Sequence, residues 1–563
     1  MTAVADIVET SIDGVQTFWA PVEGPRRAAL SFRCGQADET YLTSGRSHLV
    51  EHLALYGIED PSRHNNGYVD STTTTFHTAG TDDHVSAFLA GVCRQLKDLP
   101  LHRLDREREV LAAEDASRRQ SLAGLTSTWR FGAQGYGLAG LPRHGERLQS
   151  ALDVQRWAHT RFTRENAVLW LSGPPPSDLR LSLPGDGYRM PAPEVQSLLG
   201  HGASWFCADL GGVGLSSLLP RDPMTMLVVR VLAEQLHDRL RVDQGLTYSP
   251  WVNYDRFGDS AHVTVFADGT QASLDPLAQQ LALILAGLSR IDDDAVQAAR
   301  ARRIEEADEA EAHHPAEMML SLLQGRAHDA LHQRPHIDPR EALHGHVRLA
   351  AFRRRATTLL EHGLYVLPSG IRPPVQFGDP LPLSLAPPLV GPAHSHADAP
   401  VVTDTLIVAA EGVARDTPGG QLVARYDDVV AGLSYPDGAV CLVASDGTHV
   451  MVEPTLWTDG AALAKKITRA IGQDRIATMP ARAAADIPRP QTTWWDRFKV
   501  TALRRDRKVM ILAIVALLAI TPFLVVLDAL PLLFVLITLT IAWMLGEFAV
   551  RRDSRRRRRR PAT

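Results

Sequence analysis

His48-Leu49-Val50-Glu51-His52 sets two imidazoles four residues apart with a carboxylate between them. On a helix, positions i and i+4 lie one above the other, so both rings can aim a nitrogen at a single metal ion. Zinc suits such donors, and Glu51 stands where it can take a proton from water whose pKa the metal has lowered. The spacing therefore points to metal-assisted hydrolysis, in the inverse order of the commoner His-Glu-x-x-His arrangement. A helix turn with two solvated histidines would carry the same five residues, so the reading needs a third ligand.

The acidic, helix-forming run from Leu104 to Asp115 supplies candidates. Glu107 and Glu114 are seven residues apart, which is two helical turns, about 10 Å along one face. One can coordinate the metal while the other lies behind a ligand. The plain alternative for each is a solvated carboxylate on an exposed helix face.

Gly45 through Gly57 resembles the active-site segment of the pitrilysin/insulinase family of zinc peptidases, in which Gly-x-x-His-x-x-Glu-His precedes a short apolar tail and a glycine. Glu107-Arg108 through Glu114 is similar to that family's downstream Glu pair. The resemblance implies His48, His52 and Glu114 as ligands of one zinc ion per chain, Glu51 as the proton carrier and Glu107 in an assisting role. Leu240 to Ser249 resembles the Arg-to-Tyr segment of the family's second domain, which implies that Arg241 holds substrate backbone and that the Tyr248 hydroxyl stabilises the tetrahedral intermediate. The resemblance runs from residue 1 to about residue 370, with two departures. Asp70-Ser71 stands where the family usually reads Asn-Ala, a change that bears on a backbone contact to substrate. The interval from His52 to Glu114 is short, which implies trimmed loops between the two ligand helices.

The elements that must position these residues suggest an α+β architecture with two related peptidase-type α/β sandwich domains, residues 1–190 with zinc and 195–370 without. Strand-like Ala28 to Arg33 and Ala167 to Ser172 alternate with helical Val85 to Leu96, and Phe88 to Leu96 resembles Leu281 to Ser289. A duplicated unit is the simplest account. The matching helix of the second copy, around Val231 to His237, has no His-x-x-Glu-His, so only the first copy is expected to hold metal. Eight prolines between Ile371 and Pro400 read as an extended linker, residues 371–400. Residues 401–478 alternate apolar and polar positions between Gly- and Asp-bearing turns and end in a helix from Gly460 to Ile471, which resembles a small pleckstrin-homology-like domain.

The C-terminal part reads differently. A linker and basic juxtamembrane segment, residues 479–508, includes Trp494-Trp495, whose indoles suit a membrane interface. Val509 to Leu545 is apolar apart from threonines, Pro522, Asp528 and Pro531. One span needs about 20 residues, so residues 509–545 fit two transmembrane helices better than one. Basic residues flank both sides, Arg504 to Lys508 before and the Arg-rich tail, residues 546–563, after, which predicts a hairpin with both ends cytoplasmic. A single tilted span and a buried helix pair both leave the two-sided charge unexplained. Residues 497–563 hold 14 Lys plus Arg and 4 Asp plus Glu, a balance of +10, so residues 1–496 carry −5 − 10 = −15. The basic end suits anionic membrane lipid; without interleaved aromatics or a recognition motif, a nucleic-acid partner is not expected.

The 563 residues, 45% hydrophobic and 22% charged, are ample for several cores. Cys34, Cys93, Cys207 and Cys441 lack Cys-x-x-Cys spacing and suggest neither a disulfide framework nor a cysteine zinc knuckle. Met1 to Thr17 lacks the basic-then-apolar order of a signal peptide. His64, His77, His84, His313, His314, His394 and His396 are assigned surface or turn roles. The expectation is a membrane-anchored zinc metalloendopeptidase, in a bacterial inner or plasma membrane with its catalytic part cytoplasmic. It would act on peptides or unfolded polypeptides that add as a strand to a sheet edge. The resemblance implies a chamber built from four such units, hence a homodimer or a partner subunit. Two alternatives remain: a non-catalytic scaffold or assembly protein that keeps the fold, and a dedicated maturase for one peptide partner.

Overall fold

The computed structural model describes residues 7–60, 62, 64–117, 120–185, 187–337, 347–494, 496, 497 and 500. The expected transmembrane helices and Arg-rich tail lie outside the described residues, as does Trp495. Among the described residues no helix is long and apolar enough to cross a membrane.

The first unit opens with β1 (Val8–Ile12), β2 (Val15–Trp19) and β3 (Arg26–Phe32), then α1 (Arg46–Leu55), β4 (Asn66–Val69) and β5 (Thr74–Gly80). Five helices follow, α2 (Asp82–Lys97), α3 (Leu104–Ser117), α4 (Leu122–Phe131), α5 (Gly145–Leu148) and α6 (Ala151–Arg161), before β6 (Ala167–Leu171) returns to the sheet. Strand order is β1-β2-β6-β3-β5-β4, with β2 and β6 parallel and the other pairs antiparallel. Alternation along the strands sends Leu30, Phe32, Phe76 and Leu169 to one face, where Leu49, Val50 and Leu53 of α1 and Phe88, Leu89 and Val92 of α2 pack on them.

The second unit repeats the plan. It contains β7 (Ser204–Cys207), β8 (Gly212–Pro220), α7 (Pro223–Leu236), β9 (Trp251–Phe257), β10 (Ser260–Asp268), α8 (Leu274–Leu288), α9 (Asp293–His313), α10 (Pro315–Leu331), α11 (Leu349–Glu361) and β11 (Leu364–Leu367). Adding β12 (Asp379–Pro380), its order is β12-β7-β11-β8-β10-β9. Again the second and third strands are parallel, and β8 pairs antiparallel with β11 and β10. Helix α10 reaches back to the first unit and covers the other face of its sheet, with Met319, Leu320 and Leu323 against Phe18, Ala29 and Val168.

The proline-rich stretch is pinned at both ends, since β12 extends the second sheet and β13 (Ala393–Ser395) opens a third. Prolines restrict such pairing to edge strands, which is where both lie. The third sheet runs β13, β14 (Thr405–Val408), β15 (Gly412–Thr417), β16 (Gly420–Arg425), and a fourth runs β19 (His449–Val452), β18 (Val440–Ala444), β17 (Val429–Ser434), β20 (Ile476–Thr478). Helix α12 (Gly460–Ala470) is not the closing element expected from the sequence: β20 follows it and pairs in parallel with β17. Ile476-Ala477-Thr478 is too short to show a period of two, which is why alternation did not mark it as a strand.

Candidate metal centre

Helix α1 begins after Gly45, whose φ of +88° lies in the left-handed region that glycine enters without strain. A Cβ there would also fall 2.2 Å from Glu146 Cγ. The first amides of the helix donate to a buried carboxylate, Gly45 N–H to Glu39 Oε2 at 2.6 Å and Ser47 N–H to Glu39 Oε1 at 2.7 Å. Negative charge suits this end of a helix, although burial pushes the Glu39 carboxyl up to about 7. With Leu49, Val50 and Leu53 committed to the core, His48 and His52 share the remaining face, their ring centroids 4.8 Å apart.

Helix α3 brings Glu114 to that face. Its Oε2 lies 3.8 Å from His48 Nε2 and its Oε1 3.6 Å from His52 Nε2. One donor atom from each residue falls within 4.8 Å of the others, and no other His, Cys, Asp or Glu group among the described residues converges this way. Glu51 Oε2 stands 3.8 Å from both Nε2 atoms. Glu51 is only 3% exposed, and burial, with repulsion from Glu114 and Glu59, raises its carboxyl to about 8 in the metal-free chain. The backbone of β4 lies against this carboxyl, since a Cβ on Gly67 would sit 2.5 Å from Glu51 Oε1. As the terminal strand of its sheet, β4 keeps one edge unpaired.

Behind the rings stand further polar groups. Glu107 Oε2 is 3.5 Å from His52 Nδ1, while Glu107 Oε1 accepts from Arg103 Nη2 at 3.1 Å. Behind His48, Arg143 Nη1 donates to Nδ1 at 2.8 Å, and Glu146 Oε1 lies 3.9 Å from the same nitrogen. Two imidazole nitrogens and a carboxylate on one side, with carboxylates behind both rings, fit zinc: three protein ligands leave a fourth position open.

The structure thus brings His48, Glu51, His52, Glu107 and Glu114 together and leaves Arg241 and Tyr248 out of the cluster. Those two pair with each other, the Arg241 guanidinium 5.2 Å from the centre of the Tyr248 ring, and Tyr248 is 77% exposed. Arg241 sits in a π-helical turn, His237–Asp243, that continues α7. Asp70 is spent on its own turn: Thr72 N–H and Thr73 N–H donate to Oδ1 at 2.7 and 2.6 Å, and Thr73 Oγ1 to Oδ2 at 2.6 Å. Sequence reasoning missed Glu39, Arg103, Arg143 and Glu146. The spacing of Glu39, six residues before Gly45, carried no signal, and Glu146 lies 32 residues past Glu114 in α5, a single turn too short to show periodicity.

On the opposite face of β4 and β5 a cleft of about 740 Å³ opens toward the second unit, with Tyr68, His77, Arg256 and His328 in its walls.

No protein-family model matches the sequence, and no curated protein matches it. Solved structures do match. A protease from Helicobacter pylori superimposes with a TM-score of 0.54 at 14% identity, covering 65% of this chain and 100% of that one. Pitrilysin superimposes at 0.51 and 14%, covering 65% of this chain and 45% of that one. The peptidase M16 inactive domain from Pseudomonas fluorescens superimposes at 0.52 and 11%, covering 66% and 100%. The structural neighbours are M16-family, pitrilysin-like peptidases, some of them inactive. The likeness is one of fold, a mixed α/β arrangement with several sheets, and it extends over about two thirds of the chain.

Proposed function

We propose that this chain is a zinc metalloendopeptidase that hydrolyses peptides or unfolded polypeptides. The observation that carries the reading is the convergence of His48, His52 and Glu114 within 4.8 Å, beside a buried Glu51. Zinc, when bound, would polarise the scissile carbonyl and acidify the attacking water. Glu51 accepts the proton from that water and delivers it to the leaving amine, a transfer its burial favours. Glu107 holds the His52 ring through Nδ1 and is itself held by Arg103. The free edge of β4 receives the substrate as an added strand, with its backbone next to Glu51. Arg241 and Tyr248 then serve a centre other than their own chain's cluster, in a homodimer or with a partner subunit, where the Tyr248 hydroxyl meets the oxyanion.

The apolar, Arg-flanked stretch of residues 509–545 supports membrane anchoring with the catalytic part cytoplasmic, in a bacterial inner or plasma membrane. The two four-stranded sheets with α12 are read as the pleckstrin-homology-like domain.

The test is to incubate the solubilised full chain with a peptide mixture, with and without chelator, and to identify cut bonds by mass spectrometry. Cuts that disappear with chelator and return with added zinc are the expected result. A chain that binds stoichiometric zinc and cuts nothing would instead favour the scaffold reading, which the inactive structural neighbour makes the natural second choice. Cleavage confined to one peptide would favour a dedicated maturase.

A further inference from the structure

The rear of the metal cluster is unequal in this structure. The distal nitrogen of His52 faces a carboxylate, Glu107, at 3.5 Å. The distal nitrogen of His48 faces both a cation and a carboxylate, Arg143 Nη1 at 2.8 Å and Glu146 Oε1 at 3.9 Å. A guanidinium has donors and no acceptor, so the Arg143 contact makes His48 Nδ1 the acceptor and places the ring proton on Nε2. That is the nitrogen turned toward Glu114. An Nε2 that carries the proton has no lone pair for a metal, so a ring held by the Arg143 contact alone takes the tautomer that cannot ligate.

Glu146 supplies the remedy. It is 2% exposed, and its Oε1 is buried with no hydrogen-bond partner among the described residues. A buried acceptor left unsatisfied costs free energy and calls for a donor. The donor within reach is a proton on His48 Nδ1, about 1 Å beyond hydrogen-bonding distance. The site is built for this side chain: Gly45 at the start of α1 leaves the space that Glu146 Cγ occupies. Arg143 and Glu146 also line a cavity of about 330 Å³ whose other wall is Tyr435, Met479 and Arg482.

We propose that Glu146 is the positioning residue of His48. It accepts the Nδ1 proton, displaces the Arg143 contact and so frees Nε2 as a ligand, doing for His48 what Glu107 does for His52. The inference rests on the zinc reading above. Carboxylate–histidine–metal pairs of this kind are worth 10- to 100-fold in metal affinity when broken.

The experiment is a competition titration of zinc against a chromophoric chelator on the full chain, for wild type, E146Q and R143Q, with thermal melting of each metal-free protein. E146Q should bind zinc about 10- to 100-fold more weakly while its metal-free melting is unchanged, and R143Q should bind at least as tightly as wild type. The proposal is overturned if E146Q binds zinc like wild type, or if R143Q weakens binding as much as E146Q. Wild type that takes up no zinc would remove the zinc reading itself, a separate outcome. Should E146Q fail to fold, ¹⁵N spectra of the imidazoles in zinc-loaded wild type decide the matter. A hydrogen-bonded, exchange-protected proton on His48 Nδ1 is expected, and a freely exchanging one overturns the proposal.

Discussion

Helix α1 between β3 and β4 and helix α7 between β8 and β9 occupy matching places in two sheets of the same strand pattern, yet they join their neighbours by different chemistry. In the first unit α1 faces α3 through His48, His52 and Glu114. In the second, α7 faces α9 through ion pairs, Arg230 Nη2 to Glu306 Oε2 at 2.5 Å and Arg302 Nη2 to Glu234 Oε2 at 2.8 Å. The second arrangement brings Arg230, Arg302 and Arg303 to Glu234 and Glu306, so cations and carboxylates meet directly. The first sets two imidazoles against Glu51, Glu107 and Glu114, with Arg103 on Glu107 and Arg143 on His48. One scaffold therefore holds two forms of the same helix–helix contact, one built on ion pairs and the other on histidines and carboxylates.

The largest expected effect comes from the base. E51Q should lower peptide hydrolysis by about 10² to 10⁴-fold, the usual contribution of a positioned proton carrier, with zinc content retained by elemental analysis. E234Q, which breaks the ion pair at the matching face of α7, should leave hydrolysis unchanged, because partly exposed ion pairs contribute little. Loss of activity in E234Q comparable to that in E51Q would end the asymmetry between the two units.

That asymmetry was readable in the sequence because it resides in residue types. His48 and His52 share a face by helical spacing alone, and no such pair stands near Val231 to His237. The duplication was visible through the likeness of Phe88 to Leu96, in α2, to Leu281 to Ser289, at the end of α8. What could not be read is what only folding brings together. Glu39 caps α1 from a turn with no repeating pattern, and Glu146 approaches His48 from the single turn of α5, whose distance along the chain means nothing locally. The edge position of β4 is likewise a property of strand order rather than of Asn66 to Val69. Three-residue β20, following α12, lies below the length at which alternation can be detected. The two short strands inside the proline-rich segment were hidden for a related reason, because proline excludes central strands and leaves edge pairing open.

Core truncations test whether the two units differ in function while being alike in stability. Leu49 in α1 and Leu232 in α7 are both fully buried, each against its own sheet. L49A and L232A should each destabilise the chain by about 2–5 kcal/mol, as buried Leu→Ala changes do, measured by denaturant unfolding. Only L49A should also weaken zinc binding in the chelator competition, since it loosens the helix between His48 and His52. Equal loss of zinc affinity in L232A would mean that the metal centre draws on the second core as well.

The smallest effect separates the two helix caps by pH. Glu39 caps α1 with both oxygens and has its pKa raised to about 7 by burial, against about 4.3 in an unfolded chain. A raised folded value means that its contribution is fully present below about pH 4.3, declines as pH rises and is gone above about 7. Asp222 caps α7 by accepting from Thr225 N–H at 2.8 Å. Burial acts to raise its pKa, but the hydrogen bonds from Arg355, at 2.7 and 2.8 Å, and from Thr225 N–H outweigh burial and hold it below the ordinary range. Its contribution is present above the unfolded value of about 3.9 and falls away only in acid. Thermal melting of the metal-free chain should therefore show E39Q, which keeps one acceptor of two, costing about 1 kcal/mol near pH 5 and progressively less toward pH 8. D222N should show a penalty that is constant over the same interval. A penalty for E39Q that stays constant from pH 5 to pH 8 would mean that the carboxylate at the start of α1 is ionised throughout, and that α1 and α7 are capped in the same way.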